Sequence, residues 1–280
     1  MTPTLNIVGA GHVGRALGRL FAARGVFTVQ DVLTRSRASA QDAVDFIGAG
    51  HAVDRVEAID VVRPAQVWML AVSDDRIAEV AAQLAAHPGM RGAVVFHCSG
   101  AKASTELEPL RAAGALAASV HPVRSFADPG QVAAAFDGTF CGVEGDADAL
   151  ALLNPAFSAI GARVVAIDVR AKTVYHAASV FASNYLTTVL DAALRAYQAA
   201  GIPADVAREL ARPLAAETLA NVFRLGPETA LTGPIARGDA ATVARQQAAV
   251  NAWDPATGAL YEALAAATWD LAGRKHGRQA

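Results

Sequence analysis

The stretch "AKTVYHAASVFASNYLTTVL", residues 171–190, sets Lys172, His176, Ser179 and Ser183 at spacings of four, seven and eleven, with Asn184 beside the last. On an α-helix those spacings place the four on one face and Asn184 at its edge. An alanine-rich, otherwise apolar helix thus carries a polar stripe. Lysine and histidine can each give a proton to a developing alkoxide, and asparagine can hold a polar substrate group. The plainer alternative leaves Lys172 in an exposed first turn and His176 as a hydrogen-bonded core histidine.

Two further groups sit where apolar runs end, "VVFHCSG" and "SVHPVRS". Ser99 is placed to bind a substrate oxygen. His121, before a proline, can trade a proton near neutral pH. Arg124 can hold a carboxylate. Each has a structural alternative: Ser99-Gly100 as a turn, His121 as a structural histidine, Arg124 as a surface cation. His97, inside its run, reads as structural. Arg237, in "LTGPIARGDAATV", is a candidate to reach a substrate anion, and Asp239 is placed to cap the helix that follows.

These residues need a scaffold, and the N-terminus supplies it. "TLNIVGAGHVG" is an apolar strand, a glycine loop and the start of a helix. Gly9 allows the tight turn, Gly11 lets backbone approach a pyrophosphate, and Gly14 lets helix pack on strand. His12 and Val13 complete a dinucleotide-binding loop at a helix N-terminus. Past the second strand stand Thr34-Arg35-Ser36-Arg37, with no carboxylate to take ribose hydroxyls; Asp31 lies earlier, inside the strand. A hydroxyl and a guanidinium suit the extra phosphate of NADP better than they suit NAD. Ala71-Val72-Ser73, ending another strand, should lie at the same cofactor.

Apolar strands alternate with amphipathic helices up to Asp168, which predicts a doubly wound, mainly parallel sheet covered on both faces. Asp74 is placed to cap one helix, and Thr105 with Glu108 has capping-box spacing. Beyond Asp168 only helices are expected: about 170–200, 204–224 with a kink at Pro213, 239–250, and 255–273 with Asp254 as cap. The domains are therefore 1–168, binding dinucleotide, and 169–280, helical, for substrate and dimerisation.

The bulk numbers narrow the class. Net charge is −2, which gives no field to draw nucleic acid or an anionic membrane. Two cysteines without CxxC spacing give neither a metal site nor a disulfide framework. The longest charge-free helical run falls short of the ~20 apolar residues a bilayer span needs. No signal peptide precedes the first strand, so a cytoplasmic protein is expected. The basic tail "RKHGRQA" reads as a frayed, solvated end.

"NIVGAGHVGRALG", "HCSGA", "SVHPVRSF", "YHAASVFASNYL" and "LTGPIARGD" together resemble the Rossmann-like proteins with a helical C-terminal domain of unknown function. That group is similar to the prephenate, β-hydroxyacid, ketopantoate and pyrroline-carboxylate dehydrogenases and reductases. The resemblance implies a Rossmann domain, an all-helical second domain and a homodimer through its helices. Ser99 and His121 match the substrate-facing serine and histidine of prephenate dehydrogenases. Lys172 matches the lysine of β-hydroxyacid dehydrogenases and ketopantoate reductases, where His176 replaces their asparagine. The expected activity is hydride transfer between NADPH and the carbonyl or imine carbon of a small carboxylate, ketopantoate-like or β-hydroxyacid-like. Lys172, His176 and His121 are the proton-transfer candidates. The alternatives are a non-catalytic NADP(H)-binding regulator and a reductase of a flavin-like carrier.

Overall fold

In the computed structural model, which describes residues 1–53 and 61–277, strand β1 (Thr4–Val8) feeds through Gly9 into helix α1 (His12–Ala23). The chain then forms β2 (Thr28–Leu33), α2 (Arg37–Ile47), β3 (His51–Val53), β4 (Val67–Leu70), α3 (Ile77–Leu84), β5 (Val94–His97), α4 (Glu108–Ala112) and β6 (Leu116–Pro122). Next come α5 (Pro129–Ala134), β7 (Phe140–Gly145), α6 (Ala147–Ala159) and β8 (Arg163–Ala166). The eight strands form one sheet in the order β3-β2-β1-β4-β5-β6-β7-β8. The first six are mutually parallel, β7 runs antiparallel to β6, and β8 runs parallel to β7. This is a Rossmann sheet whose order reverses direction beside β1, where ligands bind.

Alternation along the strands builds two cores. Val67, Met69, Val94 and Phe96 face Leu17, Phe21, Leu153 and Phe157 of α1 and α6. Trp68, Leu70 and Val95 face Ile77, Val80, Leu84 and Leu110 of α3 and α4. Buried on both faces, β4 carries an apolar residue at every position and β5 does so up to His97.

Three elements have weak sequence signals. Helix α2 buries only Ala40, Ala43 and Ile47, β3 has three residues, and α5 has six. Two expected caps do not form. Asp74 opens a 3-10 turn (Asp74–Arg76) ahead of α3, and its side chain makes no cap bond. Residues Ser104–Leu107 are also a 3-10 turn, so Thr105 and Glu108 are not separated by one α-helical first turn. Two other caps form as expected. Asp239 accepts from the Thr242 amide at 3.0 Å, and Asp254 accepts from the Ala256 amide at 3.2 Å with Pro255 as the first helical residue.

The sheet ends near Asp168, but the first compact unit runs Met1–Ala182 and the second Ser183–Ala280. The packing division therefore falls later than the expected boundary at 168/169, because helix α7 (Lys172–Val180) packs with the sheet unit. The expected helix 170–200 is α7, a π-turn (Phe181–Tyr185) and α8 (Leu186–Ala199). The second unit continues with α9 (Ala204–Leu225), which passes through Pro213 unbroken, α10 (Pro227–Ala230), α11 (Ala240–Trp253) and α12 (Pro255–Gly277). Within it, Arg195 of α8 bonds Asp254 and Thr257 at 3.0 and 3.1 Å. Tyr261 of α12 donates to Gln246 of α11 at 2.8 Å. Among the described residues no helix is long and apolar enough to cross a membrane. The last three residues of the basic tail lie outside the described residues.

Candidate functional site

The glycine loop is built for close approach. Gly9 has φ +82°, and a Cβ there would lie 2.8 Å from the Ala71 carbonyl carbon and 2.7 Å from Val72 Cγ1. A Cβ on Gly14 would lie 2.6 Å from the Gly9 oxygen, so α1 can sit against the loop only with glycine. Gly11 is different: open space surrounds it, and it caps the N-terminus of α1. Its freedom serves something outside the protein, as an anion at a helix N-terminus requires.

Over this loop lies a cleft of about 550 Å³ lined by Gly9, Gly11, His12, Thr34, Arg35, Ser39, Ala71, Val72, Ser73 and Arg76, among others. That volume is ordinary for a ligand pocket. None of its described lining residues is a carboxylate. Asp31, buried within β2, is bound by Arg63 at its guanidinium and amide, so it is unavailable to a ribose. Thr34 lines the cleft while its hydroxyl donates to the Ser36 carbonyl at 2.8 Å. Ser36 is not in the lining; it caps α2 by accepting from the Ser39 amide. Val13 packs into the core instead of the cleft.

At the same C-terminal edge of the sheet, beyond β5 and β6, a second group converges. His97 is fully buried; its Nδ1 accepts from the Ser99 amide at 3.2 Å, and its Nε2 pairs with the Ala103 carbonyl at 3.0 Å. Burial lowers its pKa to about 4, so it is the neutral, structural histidine the sequence suggests. Ser99 Oγ accepts from the Ala101 and Lys102 amides at 3.2 and 2.9 Å, which closes a turn.

His121 ends β6. Its Nδ1 bonds the Tyr175 hydroxyl at 2.9 Å, and its ring stands edge-on to both Tyr175 and His176. Burial, then the His176 and Lys172 charges, lowers its pKa to about 4. His176 Nδ1 is buried and has no hydrogen-bond partner among the described residues. A Cβ on Gly100 would collide with that atom and lie 2.7 Å from His121 Nε2. Both imidazoles thus pack directly against Gly100, closer than any side chain at that position would allow.

Lys172 is 1% exposed. Its ammonium donates to Ser119 Oγ and, at 3.2 Å, to Glu144 Oε1, a carboxylate that also takes the Ser104 amide at 2.8 Å. Burial pushes its pKa below the ordinary lysine value, and Glu144 pulls it back. Lys172 is not among the residues lining the glycine-loop cleft. It is not the exposed lysine of the plainer alternative, and its ammonium is held by Glu144. The antiparallel return of β7 explains this, since it sets Glu144 directly across from Ser119.

The stripe also stops short. The α-helical spacing holds only through Val180, because the π-turn Phe181–Tyr185 winds more residues per turn and rotates Ser183 and Asn184 off the face. Both belong to the second unit, where their carbonyls accept from Thr187 and Thr188 at 3.0 and 3.2 Å. Arg237, exposed at the end of a 3-10 turn, is in that unit too. Arg124 is exposed and its guanidinium bonds the Ala135 carbonyl and Thr139 Oγ1. Three residues at this site escaped the sequence reading: Glu144, Ser119 and Tyr175. Only Tyr175, adjoining His176, carried any signal. Both cysteines are free with thiol pKa values raised by burial, and no metal-binding group of three occurs among the described residues.

Comparison with known proteins agrees with this architecture. A Rossmann-like domain matches residues 3–122, and a domain of unknown function, DUF2520, matches residues 139–268. No curated protein matches the sequence. A protein of Bacteroides fragilis, provisionally described as an NADP oxidoreductase, superposes with a TM-score of 0.77 at 24% identity, covering 96% of this chain and 98% of that one. Protein TM1727 of Thermotoga maritima gives 0.75 at 25% identity, covering 98% and 100%. A pyrroline carboxylate reductase of Plasmodium falciparum with NADP bound gives 0.59 at 13% identity, covering 96% and 98%. The fold is thus that of the dehydrogenase and reductase group the motifs resemble.

Proposed function

We propose that this Rossmann-like protein with a DUF2520 domain is an NADP-dependent oxidoreductase acting on the carbonyl or imine carbon of a small carboxylate. The observation that carries the reading is the glycine-loop cleft, lined by Arg35, Ser39 and Arg76 with no carboxylate among its described lining residues. Guanidinium and hydroxyl groups there suit a 2′-phosphate, and the open Gly11 at the α1 N-terminus suits a pyrophosphate. The fold-level neighbours include one with NADP bound and one described as an NADP oxidoreductase. When bound, NADPH supplies the hydride. In this reading the proton is handled by His121 and His176, whose rings stand edge-on to one another against Gly100. Lys172, held by Glu144 and Ser119, anchors the start of α7 and so sets where Tyr175 and His176 stand. Arg124 remains a candidate to grip the substrate's carboxylate. The helical unit exposes Leu214 and Phe223, which suits pairing with a second copy of the chain.

The test is NADPH oxidation against a panel of 2-keto acids, β-keto acids and cyclic imines, alongside direct titration of NADPH. Turnover of a panel member with NADPH preferred over NADH supports the reading. Tight NADPH binding with a blank panel supports the rival, a regulatory protein that senses NADP(H). The occupation of Lys172 by a structural ion pair is the observation in the rival's favour.

A further inference from the structure

We propose that His12 is a positioning residue that couples the cofactor cleft to residues 123–128, the segment following β6, so that a bound dinucleotide steadies Arg124. This rests on the oxidoreductase reading above, in which Arg124 is the candidate grip on the substrate's carboxylate. His12 is the first residue of α1, is exposed, and lines the glycine-loop cleft. Its Nδ1 lies 2.6 Å from the Phe126 carbonyl oxygen, across 114 residues of chain. A carbonyl oxygen only accepts, so the direction of this bond is fixed: Nδ1 carries a hydrogen and donates it.

The segment is held mainly at its ends. At the start, the Val123 amide donates to the Phe140 carbonyl at 2.8 Å and the Arg124 amide to the Pro122 carbonyl at 2.9 Å. At the finish, the Asp128 carboxylate accepts from the Gly130 and Gln131 amides at 2.8 and 3.1 Å, capping α5. Between them Ser125 and Ala127 are exposed, and Phe126 is half-buried with its side chain packed on the core. The middle of the segment is therefore pinned at one residue, by the Phe126 ring in the core and its carbonyl on His12. Arg124, two residues earlier, bonds the Ala135 carbonyl and Thr139 Oγ1 through Nη1 alone, which leaves Nε and Nη2 without a partner among the described residues. An exposed hydrogen bond competes with water and is weak, and covering it strengthens it. A dinucleotide lying over Gly11 shields His12, its neighbour in the cleft lining. Cofactor binding thus tightens the pin on the segment that carries Arg124.

Hydrogen exchange read by mass spectrometry, with and without NADPH, tests the coupling without any substrate. Expected is slower exchange across residues 123–128 when NADPH is bound. In His12→Ala the segment should exchange roughly 2- to 10-fold faster, the size of one exposed hydrogen bond, and lose its NADPH protection at saturating cofactor. His12→Asn should restore both, because its side-chain amide nitrogen stands near the place of Nδ1 and donates likewise. Nitrogen NMR on 15N-histidine protein at mildly alkaline pH should show neutral His12 with its hydrogen on Nδ1. The Nε2–H tautomer, exchange indifferent to NADPH, or exchange indifferent to His12→Ala overturns the proposal. On the best substrate of the panel, His12→Ala should raise KM roughly 2- to 10-fold with kcat nearly unchanged at saturating NADPH, and His12→Asn should bring KM back. A wild-type KM in His12→Ala overturns the link to substrate binding. A blank panel with NADPH still bound sinks the redox reading, and the exchange result still decides whether His12 couples the cleft to the segment. A working panel without NADPH protection sinks the coupling alone.

Discussion

The ammonium of Lys172, on the first turn of α7, lies 3.2 Å from the Glu144 carboxylate on β7, and both side chains are almost wholly buried. The pair ties the helix that carries Tyr175 and His176 to the sheet that carries His121. Removing one partner leaves the other charge buried alone. Lys172→Met or Glu144→Gln should therefore lower stability by about 3–5 kcal/mol, read as the urea midpoint. The double variant Lys172→Met/Glu144→Leu should recover most of that loss. A Lys172→Met protein of wild-type stability would show that the pair is not needed to seat the helix.

Folding stability should fall with acid in a defined window. His97 and His121 have pKa values of about 4 in the folded chain against 6.5 for the free side chain. The folded state therefore binds fewer protons than the unfolded state between those values. The contribution is fully present above pH 6.5 and is lost as pH falls towards 4. For the fully buried His97 it is on the order of 3 kcal/mol. His97→Gln should flatten about half of the slope; an unchanged slope would contradict the assignment.

Gly9 and Gly11 should separate fold from binding. Gly9→Ala places a Cβ against Ala71 at positive φ, so both stability and NADPH binding should fall, the former by about 1–3 kcal/mol. Gly11→Ala meets open space and should leave stability within about 0.5 kcal/mol of wild type. It should still weaken NADPH about tenfold or more, since backbone can no longer approach the pyrophosphate. Fluorescence titration and thermal melts measure both.

Cofactor choice should follow Arg35. A charge-assisted bond to a phosphate contributes about 1.5–3 kcal/mol, so Arg35→Ala should weaken NADPH roughly 10- to 100-fold and leave NADH nearly unchanged. Equal losses for both dinucleotides would place the 2′-phosphate elsewhere in the cleft.

The helical unit should self-associate. Phe223 on α9 is 85% exposed, far beyond what a lone aromatic side chain needs in water. Sedimentation should show a dimer at micromolar concentration, and Phe223→Asp should shift it to monomer without loss of helicity. A monomeric wild type would refute the pairing.

Much of the fold was legible because its signals are local. The glycine loop is a strand, a turn and a helix start within a dozen residues, and each glycine has its own steric reason. Asp239 and Asp254 act as caps because a cap needs only its next three residues. Capping failed as a guide at Asp74 and Thr105, where a 3-10 turn replaced the first α-turn, and spacing alone cannot distinguish the two. Helix α2 was missed because small alanines make most of its buried face.

The amino-acid order by itself therefore determined the sheet, the dinucleotide loop, the missing acid after β2 and the helical tail. It also put Tyr175 and His176 on one helix as neighbours of Lys172. Tertiary structure alone decided what those side chains meet. The antiparallel return of β7 brings Glu144 opposite Ser119, which takes Lys172 out of the solvent. Strand β6 and helix α7 bring Tyr175 to His121 across 54 residues of chain. Periodicity tells which side of a helix is polar, but hydrogen-bond partners depend on distances of a few tenths of an ångström between elements far apart in sequence. Those distances are set by how the whole unit packs.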